Sequence, residues 1–331
     1  MLDNKQCIEF ANKQIAGRYK IPIIAIIIAN VISLIFDFIS TRFNPIQDVQ
    51  KLSEYLTLRT TSFADPRDTA LVLIIGIVST LITFVLDYAF TILLLKMAKN
   101  PDPIKFSDYT DGFTKFSRGL LTYLWITLIY FIWALPLGLG VGLLTVIFAM
   151  ITGTGTHLLV PFIVIFMFVG IILFIIKIMD FSFSPMISAE FEGISIPRCT
   201  DISKQLTRGA KKQIVWIWIK NFAPLVAIMI LLGIIFQDYK STDANDLFGT
   251  GFKITILIET IISTAYSCWR LPIYNLALIN LYHSQLKDCV ERGELHAEEF
   301  GIEMQAAPAE ETEQKAEITA TIEDNKDEKT E

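Results

Sequence analysis

The chain is short of charge and of polar surface. Of its 331 residues only 19% are charged and 53% are hydrophobic, and the mean hydropathy is +0.50. A soluble domain of this length must still cover itself with polar groups, so lipid has to be the solvent for much of this chain. Histidine is scarce: His157, His283 and His296 stand far apart, and no HExxH, GxSxG or P-loop pattern occurs. The sequence therefore gives no basis for an enzyme, a cofactor site or a metal centre. The four cysteines, Cys7, Cys199, Cys268 and Cys289, have neither CxxC pairing nor zinc spacing. Three fall in segments expected on the reducing, cytoplasmic side, so no structural disulfide is expected. Basic residues are scattered beside apolar runs, which argues against a nucleic-acid partner.

Long apolar runs are present instead. Six stretches, at about 21–40, 69–97, 120–150, 158–183, 214–236 and 252–283, are apolar and long. Each exceeds the ~20 residues that cross about 30 Å of hydrocarbon as a helix. The third is interrupted at Ala134-Leu135-Pro136. Helix is required, because an open sheet leaves backbone groups unpaired in lipid. The first twenty residues are polar and no small-x-small cleavage site follows, so the first run is expected to remain as an anchor.

Lys and Arg set the orientation. They cluster before the first run, between the second and third, and between the fourth and fifth; the loop between the third and fourth has none, and that between the fifth and sixth has only Lys240 and, at its edge, Lys253. The first loop, 41–68, carries both signs and is long enough to translocate. This alternation predicts both termini in the cytoplasm of a multi-pass cell-membrane protein.

A second regularity is a short amphipathic, basic segment before each odd-numbered span. In the first, Ile8, Ala11, Ile15 and Tyr19 share a helical face that ends in Gly17-Arg18. In the second, Phe106, Tyr109, Phe113 and Phe116 share a face ending in Arg118-Gly119, with Ser107 as N-cap. In the third, Ile202 and Leu206 share a face ending in Arg208-Gly209, with Thr200 or Asp201 as cap. Such helices lie in the membrane interface with their cations near anionic headgroups. Arg18, Lys20, Lys115, Arg118, Arg208, Lys211 and Lys212 are the expected headgroup contacts. The fold class is thus all-α, a polytopic membrane bundle of three hairpins, each preceded by an interfacial helix. The domains read as an amphipathic segment (1–20), a six-span region (21–286) and an acidic tail (287–331). The tail keeps some polar helix to about residue 300 and is disordered from residue 306.

The run Leu94-Leu95-Lys96-Met97-Ala98-Lys99-Asn100-Pro101, then Phe106-Ser107-Asp108-Tyr109, Gly112-Phe113 and Phe116, carries a pattern. So do Phe183-Ser184-Pro185-Met186-Ile187 with Ile202-Ser203 and Arg208-Gly209, and Pro272-Ile273-Tyr274 with Ala277, Leu281-Tyr282 and Leu286. Over roughly residues 10–286 the chain resembles the bacterial membrane family termed domain of unknown function 975. It departs from that pattern in its longer first loop, its Gly-rich third span and its acidic tail. The resemblance implies a multi-span bacterial inner-membrane protein and brings no reaction or catalytic residue with it.

Ionisable groups inside spans are costly and mark function or clamps. Asp87 lies nine residues inside Lys96, and Arg270 at a similar depth before His283. They are the candidate intramembrane pair, as a structural clamp or as part of a polar path. Lys177 and Asp180 read as an i,i+3 helix pair, and Lys220 as snorkelling to the interface. Gly138, Gly140 and Gly142 carry a small-xxx-small spacing that predicts tight helix contact. Two readings follow. The favoured one is a non-enzymatic protein that binds lipid or a protein partner as a scaffold. The alternative is a small-solute or ion transporter, or an accessory subunit of one, with a polar path near Asp87 and Arg270. A water-filled cavity at that pair would favour the second.

Overall fold

The computed structural model describes residues 3–43, 66–152, 156–235 and 250–300. Among these residues every regular element is helical. The first loop, the 236–249 loop and the chain after residue 300, including the tail expected to be disordered, lie outside the described residues.

In chain order the helices are α1 (Asn4–Ile15), α2 (Lys20–Phe43), α3 (Pro66–Lys99), α4 (Phe106–Thr114), α5 (Phe116–Thr152), α6 (Thr156–Met179), α7 (Ser184–Glu190), α8 (Ile196–Thr207), α9 (Lys211–Ile235) and α10 (Thr250–Glu291). Five stretches are long and apolar enough to cross a membrane: Lys20–Ser40, Ala70–Lys99, Phe116–Leu144, Met167–Glu190 and Lys211–Ile234. Six crossings were expected; α10, at 42 residues, has the length for a further one. α2 packs along α3, and α5 along α6.

The three expected amphipathic helices are α1, α4 and α8. α1 begins at an N-cap, Asp3, whose carboxylate accepts from Asn4 N–H at 2.7 Å, while Gln6 accepts from Asp3 N–H at 2.9 Å. Two start signals differ from expectation. α4 starts one residue before Ser107: Asp108 reaches back to accept from Lys105 N–H at 2.8 Å, so the carboxylate satisfies the end of the helix from inside. α8 starts at Ile196, before Thr200 and Asp201, because Pro197 sits in the first turn, where its missing N–H costs nothing.

Helix continuity also differs in two places. α5 runs unbroken through Pro136, where an interruption was expected. The fourth apolar run stops at Met179; the chain turns through residues 180–183 and starts a separate helix, α7, with a Pro in its first turn.

The chain divides into two compact units, Met1–Leu286 and Lys287–Glu331. In the second, α10 ends in a Schellman cap. Gly293 takes φ +71°, Gly293 N–H donates to Val290 O at 3.0 Å and Glu294 N–H to Cys289 O at 3.0 Å.

Within the first unit, burial concentrates at one end, here called the collar end. Alternating helix direction brings there the N-terminal ends of α2, α5 and α9, the C-terminal half of α3, and residues 273–286 of α10, with α1, α4, α7 and α8 packed among them. Tyr88, Leu93, Leu94, Tyr109, Phe183, Ile202, Leu206 and Tyr282 are fully buried there. At the far ends of the spans the large apolar side chains are exposed, as at Phe38, Leu73, Leu143 and Ile234. Lipid tails are as apolar as leucine, so no hydrophobic force draws those outer segments together. Where short amphipathic helices meet water, apolar burial does stabilise, at roughly 1.5–3 kcal/mol per large side chain.

Candidate functional site

The collar end is held by two arginines that use the fork geometry of guanidinium. Arg18, in the turn between α1 and α2, donates to Gln14 O (3.3 Å), Met97 O (3.2 Å), Asn100 O (2.8 Å) and Asp102 O (2.6 Å). Three of those carbonyls lie at or just past the end of α3, where the last turn lacks intrahelical donors. Arg118, in the first turn of α5, donates to Ser188 O (2.8 Å), Phe191 O (2.9 Å), Glu192 O (2.8 Å) and Ile194 O (2.6 Å). It closes the end of α7 in the same way. In both cases a cation sits at the negative end of a helix dipole and satisfies its free carbonyls.

Between these clamps lies a charged hub. Glu190, at the end of α7, has a side chain only 8% exposed. It pairs with Lys99 of α3 at 2.6 Å and with His283 of α10 at 3.2 Å, so one carboxylate joins three elements. Around it several polar side chains pair with one another, while Ser184 Oγ and Gln285 Nε2 are buried without a partner. Ser188 Oγ lies 2.8 Å from Thr122 Oγ1 and 3.4 Å from Tyr88 Oη. Gln14 and Asn280, 266 residues apart, exchange side-chain hydrogen bonds at 3.2 and 3.0 Å. Ser203 Oγ donates to Asp180 O at 2.9 Å and accepts from Phe183 N–H at 3.2 Å. The pairs that do form tie together elements far apart in sequence and fix their relative positions.

Close approach is built in by two glycines that the sequence analysis names only as landmarks, Gly112 in the family pattern and Gly119 at a segment end. A Cβ on Gly112 would lie 2.5 Å from Ala89 Cα, and one on Gly119 would lie 2.5 Å from the Tyr88 ring. The glycines expected to make tight contacts do not: a Cβ on Gly138, Gly140 or Gly142 would meet nothing within 4 Å. Small-xxx-small spacing states that a close approach is possible; which helix comes near is a tertiary matter.

The predicted cations divide. Arg18 and Arg118 are spent on backbone carbonyls, Lys115 pairs with Glu192, and Lys211 pairs with Asp180 at 2.5 Å. These four brace the protein itself instead of reaching toward headgroups. Lys20, Arg208 and Lys212 are exposed and have no partner among the described residues. Lys177 does lie 3.6 Å from Asp180, and Lys220 rests over the Trp216 ring at 4.7 Å.

No ion pair joins Asp87 to Arg270 among the described residues. Asp87 is exposed on α3, within the field of Tyr109. Burial first, and then that carboxylate, push the Tyr109 phenol up to about 12. Arg270 stacks on Trp269 at 4.5 Å and its charge reaches Tyr19, where it offsets part of the rise that burial causes. Matched depth fixes one coordinate only; the two side chains leave their helices toward different neighbours. Among the described residues no group of three His, Cys, Asp or Glu side chains is placed to hold a metal ion.

Residues 1–284 match the family model described as Protein of unknown function (DUF975). Searches of curated proteins and of solved structures return no match. Covered over most of its length by that model, and carrying several apolar helices of membrane-spanning length, the chain belongs to the DUF975 family of unknown function and is a membrane protein of it.

Proposed function

We propose that this is a non-enzymatic scaffold of the bacterial cell membrane, which binds lipid headgroups and a protein partner at its collar end, with both termini in the cytoplasm. The carrying observation is the division of the collar cations: four are locked into the protein, and Lys20, Arg208 and Lys212 are left exposed on a braced framework. Cations fixed at an interface attract anionic headgroups, at about 1 kcal/mol each. The acidic chain after residue 286 is a tether for a basic cytoplasmic partner. Rigidity suits a platform better than a gate, and the polar path of the alternative reading loses its proposed pair.

Proteoliposomes test this reading. The full chain, reconstituted in phosphatidylethanolamine with phosphatidylglycerol, is expected to enrich phosphatidylglycerol in its annulus, as read by spin-labelled lipid. The triple variant Lys20→Gln, Arg208→Gln, Lys212→Gln is expected to lose that enrichment. A saturable ion or solute flux that Asp87→Asn or Arg270→Gln abolishes would overturn the scaffold in favour of a transporter.

A further inference from the structure

A second cationic site lies away from the collar hub, between α5, α6 and α8. A cavity of about 440 Å³ opens there, lined by Trp125, Ile129 and Trp133 of α5, Lys177 at the end of α6, and Thr200 and Lys204 of α8. Its walls are of two kinds, indole and aliphatic, and polar, the polar part holding the carboxylates of Asp180 and Asp201 beside the ammonium and hydroxyl groups.

The charges favour an anion. Asp180 also lines the recess but is held by Lys211 at 2.5 Å, closer than Lys177 at 3.6 Å. Lys177 rests on the face of Trp133 at 4.5 Å, and Lys204 lies 2.9 Å from Asp201 and 5.4 Å from the Phe181 ring centre. Within the recess Lys177 and Lys204 stand against Asp180 and Asp201; Lys211, which holds Asp180 from outside the lining, leaves the cluster as a whole with a surplus of one positive charge.

An apolar groove follows along the same helix pair. Its volume is about 260 Å³, and Leu137, Gly138, Val141, Gly170 and Phe174 are among its lining. Trp125, Ile129, Trp133, Leu137 and Val141 recur every fourth residue, so recess and groove share one stripe of α5. From Trp125 to Val141 the stripe runs about 24 Å at 1.5 Å per residue. One leaflet, half of a bilayer of ~40–45 Å with its headgroups, is roughly 20–22 Å deep. Gly138 borders the groove and a Cβ there would meet nothing within 4 Å, so its lack of a side chain leaves the groove open.

We infer that this stripe is a binding site for one glycerophospholipid, its phosphate taken by Lys177 and Lys204, and an acyl chain laid along the groove past Gly138. Charge-assisted bonds hold the phosphate, and aromatic side chains flank it at interface depth. The inference rests on reading the chain as a binding protein, and it names the ligand and the place.

Native mass spectrometry of the full chain in detergent tests it, with dioleoyl-phosphatidylglycerol as probe and glycerol 3-phosphate as the headgroup-only control. One lipid is expected to be retained with a Kd at least tenfold lower than that of glycerol 3-phosphate. The variant Lys177→Gln, Lys204→Gln is expected to weaken lipid retention at least tenfold. Gly138→Leu fills the groove and is expected to weaken the lipid while leaving glycerol 3-phosphate unaffected. Thermal unfolding of each variant within a few degrees of wild type shows that the fold is kept. Equal affinity for lipid and glycerol 3-phosphate would overturn the site as a lipid site. Lipid retention that neither variant changes would overturn this location while leaving the scaffold reading intact; a flux, as above, would overturn that reading whatever the lipid result.

Discussion

Gly119 and the Tyr88 ring meet so closely that a Cβ on residue 119 would lie 2.5 Å from ring carbons. Tyr88 is fully buried and cannot retreat. Gly119→Ala is therefore expected to destabilise by about 1–3 kcal/mol through overpacking, and Gly112→Ala likewise against the Ala89 backbone. Gly140→Ala meets open space and is expected to be neutral or to stabilise by roughly 0.5–1 kcal/mol through helix propensity. Thermal unfolding in detergent decides; equal melting points for Gly119→Ala and Gly140→Ala would refute the close contact.

Arg118 and Arg208 occupy similar sequence contexts but different physical ones. Arg118 donates to four carbonyls, whereas Arg208 is exposed without a partner among the described residues. A lysine offers a point charge in place of a planar fork. Arg118→Lys is expected to cost about 2–3 kcal/mol, from lost charge-assisted bonds. Arg208→Lys should fall within about 0.5 kcal/mol of wild type. Chemical denaturation of the two variants side by side gives the comparison.

Glu190 and Glu192 stand two residues apart and should behave differently. Glu190 is buried and holds Lys99 and His283; Glu192 is 61% exposed and meets Lys115 at the surface. Glu190→Gln keeps the volume, removes the charge and is expected to cost about 1–3 kcal/mol. Glu192→Gln is expected to leave stability close to wild type, because solvent screens its pairing with Lys115. A larger loss at Glu192 would show that the hub is misplaced.

Asp87 and Arg270 are expected to be energetically independent. Their coupling in a double-mutant cycle of Asp87→Asn and Arg270→Gln should stay below about 0.5 kcal/mol, since they share no contact. A coupling above ~1 kcal/mol would restore the intramembrane pair.

Cys7 gives a pH dependence. Burial, then the charge of Asp3, raise its thiol from 9.0 to about 11 in the folded protein. The neutral thiol therefore contributes stability that is complete below the unfolded value and is lost as pH rises from about 9 to about 11. The unfolding midpoint is expected to fall over that window, and to fall less in Cys7→Ala. Maleimide should label this thiol slowly at pH 8 until the fold is opened.

Helix positions and the amphipathic segments were legible because apolar runs and face periodicity are local properties. Ile8, Ala11, Ile15, Tyr109, Ile202 and Leu206 are buried as their spacing implies. The corner at residues 180–183 was missed because hydropathy stays high across it, and only Ser184-Pro185 marks the new start.

What the sequence determined by itself is the solvent. A chain this poor in charge, with apolar stretches of membrane-spanning length, has no other low-energy environment. What only the tertiary structure decided is the use of each polar group. The basic collar segments read alike along the chain, yet Arg18 and Arg118 close helix ends while Arg208 stays free. The depth of Asp87 and Arg270 could be counted, but the direction in which each leaves its helix could not. Pairing energies fall steeply with distance, so partners are set by angstroms across the fold and not by positions along the chain.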